Sequence, residues 1–61
     1  MTLEEAAANV GQTVIYRPTP DYTEQGVITA TTSRYVFVRY GTDQHSKATS
    51  ADFLTLAAGG P

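Results

Sequence analysis

The strongest structural signal in the chain is the run of residues 35–40, where aromatic and β-branched residues alternate as they do on a strand. Side chains two positions apart on a strand lie on the same face, so Tyr35, Phe37 and Arg39 share one face. A central strand seldom turns an arginine inward. We therefore predict that Val36 and Val38, on the opposite face, lie in the core.

The same alternation predicts the inward positions of the other strands. Val14 and Tyr16 point inward, because their neighbour Arg17 points outward. On the second strand Ile28 and Ala30 are the core choice, with Val27 as the alternative. Near the end of the chain we expect Leu54 and Leu56 to close the core, with Phe53 beside them.

Turn-forming residues divide the chain into five short predicted strands. These strands cover residues 12–17, 27–32, 35–40, 45–49 and 53–56. A loop at residues 18–25 carries Pro18 and Pro20, and a single helical turn at residues 50–52 precedes the last strand. This order predicts an all-β fold, a five-stranded SH3-like barrel, whereas an OB-fold needs longer strands.

One short helix is predicted at residues 2–10, before the strands begin. Thr2 and Glu5 have the spacing of a capping box. Leu3, Val10 and either Ala6 or Ala7 fall on one face at helical spacing, and Gly11 suits a left-handed C-terminal position. A helix this short needs a surface to pack against.

The size and composition of the chain limit how stable its fold can be. It has 61 residues, no cysteine and one histidine, so a small core must hold without disulfide cross-links. We expect one domain over residues 1–56 and a flexible tail at residues 57–61. A closed sheet or a partner chain must supply the remaining stability. We expect no signal peptide, because no basic region followed by an apolar run opens the sequence, and no apolar run is long enough to span a membrane.

The charge balance argues against a strongly basic nucleic-acid site, since the formal net charge is −2. The alternative function is nevertheless a nucleic-acid-binding barrel, in which outer-face aromatics stack on bases. Its phosphate contacts would be the four cationic residues Arg17, Arg34, Arg39 and Lys47.

The candidate binding surface is the outer face of the third strand: Tyr35, Phe37 and Arg39. Aromatic residues and arginine are enriched where proteins bind one another. The alternative is that the N-terminal helix or the first loop covers the two rings.

No catalytic or metal-binding constellation is predicted. Asp43, His45 and Ser46 are close in sequence, but a nucleophilic triad needs a pocket and an oxyanion site, which a side-chain-filled small barrel lacks. One histidine and no cysteine do not make a structural zinc site. Gly59 and Gly60 are not followed by the residues of a phosphate loop. We predict a protein that is not an enzyme and takes no cofactor.

Several segments together resemble known proteins: Val14 to Pro18, Gly26 to Ile28, Tyr35 to Gly41, Lys47 to Thr49, and Leu54. This pattern over residues 10–56 is similar to small proteins encoded by tailed phages and prophages, mostly of unassigned function. Its first half resembles Tudor- and KOW-type SH3-like barrels.

The resemblance implies several properties. A KOW-type barrel implies RNA or ribosome-associated binding, and a Tudor-type barrel implies an aromatic cage for a methylated cation. The rings available for such a cage are Tyr16, Tyr22, Tyr35, Phe37 and Tyr40. The leading hypothesis is a phage-encoded, non-catalytic interaction module, because such a role needs only a rigid barrel with one adhesive face, and it would be either an accessory virion component or an adaptor for a host or phage protein. We therefore expect a protein partner or self-association, no membrane partner, and a location in the host cytoplasm or the virion.

Overall fold

The computed structural model describes residues 1–57, which form one antiparallel sheet of five strands and a short N-terminal helix. The sheet order is β4-β3-β2-β1-β5, and the described residues contain no ladder between β4 and β5 that would close it. The elements are α1 (Leu3–Ala7), β1 (Thr13–Thr19), β2 (Tyr22–Thr31), β3 (Val36–Tyr40), β4 (Lys47–Thr49), a 3₁₀ turn (Ala51–Phe53) and β5 (Leu54–Leu56). The predicted all-β class, strand number and helix are confirmed, and barrel closure stays a prediction.

Helix α1 begins as predicted and ends earlier. The Thr2 hydroxyl accepts a hydrogen bond from the Glu5 backbone N–H, and the Glu5 carboxylate accepts one from the Thr2 backbone N–H, each at 3.0 Å. The predicted continuation to Val10 is wrong. The Asn9 side chain donates to the Glu5 carbonyl at 2.7 Å, while its backbone N–H turns to the Ala6 carbonyl. Asparagine favours such local bonds over a regular helix, and Val10 is left exposed.

Residues 18–25 form a hairpin, so the predicted long first loop is wrong. Strand β1 continues to Thr19, which pairs with Tyr22, and only Pro20 and Asp21 lie between the two strands. Proline lacks the backbone N–H that a strand ladder needs, which is why Pro18 predicted an end to the strand. The register shifts between Tyr16 and Thr19, and this irregularity accommodates Pro18.

A second irregularity turns Ala30 outward. Ile28 pairs with Val38 and Ala30 pairs with Phe37, so β2 carries one extra residue, Thr29, at this point. An extra residue of this kind shifts every later side chain to the other face. The prediction that Ala30 lies in the core is therefore wrong, and Ala30 is exposed.

The core forms on one side of the sheet, which we call the inner face. Its fully buried large side chains are Val14, Ile28, Val36, Val38 and Leu54, all of which were predicted. Tyr16 packs against them only partly buried, and Ala6 is buried in the same cluster. The predictions for Leu56 and Phe53 are wrong, since they are 42% and 44% exposed. They lie at the edge strand and the 3₁₀ turn, where the small core does not reach.

The C-terminal part of the chain returns to β1 and to the start of the helix. The predicted helical turn after β4 is confirmed as the 3₁₀ turn, and Ser50 caps it through the Asp52 backbone N–H. The amino group of Met1 donates to the carbonyls of Ala51 and Leu54, at 3.1 and 2.7 Å. After β5, the Ala57 backbone N–H still donates to the Thr13 carbonyl. The rest of the predicted tail, residues 58–61, lies outside the described residues.

Candidate functional site

Strand β3 carries the predicted surface on its outer face. Val36, Val38 and Tyr40 are buried, and the alternating positions Phe37 and Arg39 face the other way, half-buried and exposed. Tyr35 precedes the strand at the β2–β3 turn, where its N–H donates to the Thr32 hydroxyl, and it is 47% exposed. The fold therefore brings Phe37 and Arg39 onto one face and holds Tyr35 at its end.

The helix packs on the opposite side of the sheet from these residues. Ala6 of α1 is buried in the same cluster as Val14 and Val38, whose side chains point to the inner face. Phe37 lies across from Ala30 on β2 and Ala48 on β4, two residues with small side chains, and Phe37 itself is partly buried. The outer face of β3 is thus not covered by the helix.

The bulge residue Thr29 fixes the backbone beneath Phe37. Its hydroxyl donates to the Phe37 carbonyl at 3.2 Å and lies 2.6 Å from the hydroxyl of Ser46. These bonds connect β2, β3 and the segment before β4 at one point. The outer surface around Phe37 is therefore held by side-chain hydrogen bonds as well as by the strand ladders.

A shallow hollow of about 280 Å³ opens on the same outer face. Its lining residues are Thr13, Gln25, Gly26, Val27, Arg39 and Gly41. Thr13, Val27 and Arg39 stand in a row across three strands, because each pairs with the next. Gly41 has a φ of +53° and no atom within 4 Å of the place where a Cβ would stand. The missing side chain at this position leaves one side of the hollow open.

The four predicted phosphate contacts lie on four different elements. Arg17 is on β1, Arg34 is in the β2–β3 turn, Arg39 is on β3 and Lys47 is on β4, and all four are exposed. Lys47 pairs across the ladder with the inward-facing Val38, so it projects from the opposite face to Arg39. The Lys47 Nζ also lies 4.0 Å from a carboxylate oxygen of Asp43.

Four aromatic rings, which we call the aromatic cluster, form a second and partly exposed group. Three of them, Tyr16, Tyr22 and Tyr40, are among the rings that the Tudor resemblance implies for a cage, and Phe53 is the member that was not predicted. Tyr16 is the centre of the cluster, with ring centroids 6.4 Å from Tyr22, 5.7 Å from Tyr40 and 6.2 Å from Phe53. Tyr22 and Phe53 are 50% and 44% exposed. The Tyr22 hydroxyl donates to the Glu24 carboxylate at 3.1 Å, and this hydrogen bond raises the pKa of Tyr22 above its usual value.

The sequence did not predict how these rings come together, because residues 18–25 were treated as a loop and Phe53 was assigned to the core. The sequence did contain a signal. The two-residue spacing that leads to Ile28 in the predicted second strand extends back through Gly26 and Glu24 to Tyr22. The cage set that the Tudor resemblance implies is divided in the structure. Its members Tyr16, Tyr22 and Tyr40 come together, whereas Phe37 lies on the outer face.

The polar segment before β4 does not assemble a triad. Asp43 and His45 are exposed, and the Ser46 hydroxyl is engaged with Thr29. Within residues 1–57, no three histidine, cysteine or carboxylate side chains are grouped so that they could hold a metal ion.

In the described part of the chain, no helix has the length and apolar character that crossing a membrane requires. No protein-family model, no curated protein and no solved structure matches this chain.

Proposed function

We propose that this protein is a non-catalytic interaction module that binds another protein chain through the outer face of β3. The observation that carries the proposal is that Phe37 and Arg39 share a face that the helix leaves uncovered, with the exposed Tyr35 at the end of that face. Aromatic side chains beside an arginine are the composition enriched at the centres of protein interfaces.

The proposed architecture is a small SH3-like barrel. Its support is the strand order β4-β3-β2-β1-β5 and the 3₁₀ turn before the last strand. Barrel curvature would bring β4 towards β5 and would remove the two exposed sheet edges. A rigid sheet of this kind presents the outer face of β3 with little loss of conformational freedom on binding.

The proposed setting is a tailed phage or prophage, with the module acting in the virion or as an adaptor in the host cytoplasm. Support comes from the resemblance of residues 10–56 to small phage-encoded proteins. The partner is a second copy of the chain or a different host or phage protein. In either case Phe37 lies at the centre of the contact and Arg39 at its rim.

The nucleic-acid alternative has less support. Binding to a phosphate backbone gains strength from several cations that act together and release counterions. Here the cations lie on four elements, Arg39 and Lys47 project from opposite faces, and Lys47 is near Asp43. We expect binding to a random single strand at physiological salt to be weaker than about 10 μM. Sub-micromolar binding with a steep dependence on salt would favour the alternative.

Light scattering tests whether the outer face joins two copies. We expect wild-type protein to be heavier than its 6.5 kDa chain and a Phe37→Ser variant to be monomeric and folded. Tyr22→Ser is the matched control, since it removes a half-exposed ring from the aromatic cluster instead. A wild type that stays monomeric at millimolar concentration excludes self-association and leaves a different protein as the partner. A Phe37→Ser chain that unfolds would assign the ring to the core.

A further inference from the structure

We propose that the hollow beside Arg39 receives the carboxylate of an aspartate or glutamate from the bound protein. The proposal rests on the function proposed above and names the chemistry of the partner at that face. It is carried by three features of the hollow: one cation, hydrogen-bonding side chains around it, and an open wall at Gly41.

The cation is Arg39. Its position between inward-facing Val38 and Tyr40 directs it outward, and it is exposed. Within residues 1–57, no carboxylate forms an ion pair with Arg39. The guanidinium presents a planar set of N–H donors that matches the two oxygens of a carboxylate.

The rest of the lining suits a carboxylate attached to an apolar stem. The Thr13 hydroxyl and the Gln25 amide supply further polar groups, and the half-buried Val27 supplies an apolar wall. The floor is the backbone of Gly26, whose absent side chain would point to the inner face, towards Val38 and Tyr40. A volume of about 280 Å³ is slightly below the range of small-molecule sites, and it accommodates one side chain of a partner.

A protein carboxylate fits this site better than a nucleic-acid phosphate. A phosphate backbone presents a regular series of charges, and no second cation lines the hollow. A single acidic side chain needs only the one arginine. Phe37 lies two positions before Arg39 on the same face, so a partner whose acidic residue enters the hollow also covers that ring.

Phenylacetate is a suitable probe, because its ring imitates an apolar stem and its carboxylate imitates the acidic group. Titration of the ¹⁵N-labelled full chain should give saturable shifts of the backbone amides of Gln25, Gly26 and Gly41, with a Kd on the order of 10 mM. The neutral analogue phenylacetamide should bind at least about tenfold more weakly, since a charge-assisted hydrogen bond is lost.

Three variants test whether phenylacetate binds in the hollow. Arg39→Gln should weaken phenylacetate binding at least about tenfold, because it removes the cation. Gly41→Asn adds a side chain at the open wall in a residue type that tolerates positive φ, and it should also weaken binding. Arg34→Gln removes a cation outside the hollow and should leave the affinity unchanged.

Four outcomes would overturn the proposal. Phenylacetate could give no saturable amide shifts, phenylacetamide could bind as tightly as phenylacetate, or the Arg39→Gln variant could bind phenylacetate as tightly as wild type. In the fourth outcome, inorganic phosphate and a single-stranded oligonucleotide bind more tightly than phenylacetate at the same amides. The last would assign the hollow to a phosphate. Failure here is distinguishable from failure of the proposed function. If Phe37-dependent association is found and phenylacetate does not bind, only the acidic-residue assignment is wrong.

Discussion

The hydroxyl oxygens of Tyr40 and Thr49 lie 2.8 Å apart in the core, where both residues are almost completely buried. The Thr49 hydroxyl donates to the Lys47 carbonyl at 3.2 Å, which makes the Tyr40 hydroxyl the donor in the shared bond. Thr49 thereby supplies the acceptor that a phenol in this core requires. This bond ties the end of β3 to the edge strand β4.

Removing the acceptor should cost more than removing the donor. We predict that Thr49→Val destabilises the fold by about 1–3 kcal/mol, because it leaves a buried Tyr40 hydroxyl without a partner. Tyr40→Phe should cost about 1 kcal/mol, and the double variant should cost less than the sum of the two. Urea unfolding of all four proteins measures this cycle. Additive costs would show that the two hydroxyls do not interact in solution.

Tyr40 also makes the stability of the fold depend on pH in the alkaline range. Burial, as the main cause, raises the pKa of Tyr40 above its ordinary value, so the folded state retains the phenol proton after the unfolded chain has lost it. The resulting stability is present below a pH of about 10 and is lost as the pH rises through the folded pKa. We predict that Tyr40→Phe makes the alkaline loss less steep in urea unfolding between pH 8 and pH 11. Parallel curves for the two proteins would exclude Tyr40 as the cause.

Gly26 has no room for a side chain. A Cβ at this position would lie 2.5 Å from the Val38 Cγ1 and 2.9 Å from both the Arg39 carbonyl oxygen and the Tyr40 Cδ1. This carbonyl is part of the β3 backbone, which pairs with β2, so it cannot move as freely as a side chain. We predict that Gly26→Ala costs about 1–3 kcal/mol in free energy of unfolding. Gly41→Ala is the control, because its Cβ meets open space and only the positive φ is unfavourable, at about 1–2 kcal/mol. A Gly26→Ala protein as stable as wild type would show that β2 and β3 are further apart than described.

Neighbouring residues of β3 test which way the strand faces. Val38→Asp should unfold the domain, since an unpaired buried charge costs several kcal/mol against a stability on the order of 5 kcal/mol. Arg39→Asp places the same carboxylate one residue later on the exposed face and should leave the fold intact. Amide NMR spectra distinguish the two results. A well-dispersed spectrum for Val38→Asp would show that the two faces are reversed.

The sequence predicted those parts of the fold that depend on regular alternation or on local capping. The alternation around Arg39 identified Val36 and Val38 as core residues, and the spacing of Thr2 and Glu5 identified the capping box. Such signals are local, because they depend only on which neighbours share a face or a helical turn.

The same reasoning failed where the strands are irregular. The extra residue Thr29 turns Ala30 outward. The residue types in β2 do not indicate where such an extra residue is inserted. Pro18 argued against a strand that continues past it, so the β1–β2 hairpin and the strand position of Tyr22 were not predicted. The aromatic cluster depends on that hairpin and on the 3₁₀ turn, which are distant in sequence. The hollow beside Arg39 likewise depends on strand pairing between residues far apart in the chain.

Two tyrosines with almost equal exposure distinguish the outer face of β3 from the aromatic cluster. Tyr35 is 47% exposed beside the outer face, and Tyr22 is 50% exposed in the cluster. Replacement of either by serine removes a similar area of ring from the surface, and neither residue is in the core. A difference in binding between Tyr35→Ser and Tyr22→Ser therefore reports which surface contacts the partner.

The most direct measurement is cross-linked capture of partners by tagged wild-type, Tyr35→Ser and Tyr22→Ser protein in cells that express it, quantified by mass spectrometry. We predict that Tyr22→Ser captures the same protein as wild type, whether a second copy of the chain or another protein, and that Tyr35→Ser loses most of it. The reverse result, with capture lost in Tyr22→Ser and retained in Tyr35→Ser, would contradict the account and assign binding to the aromatic cluster.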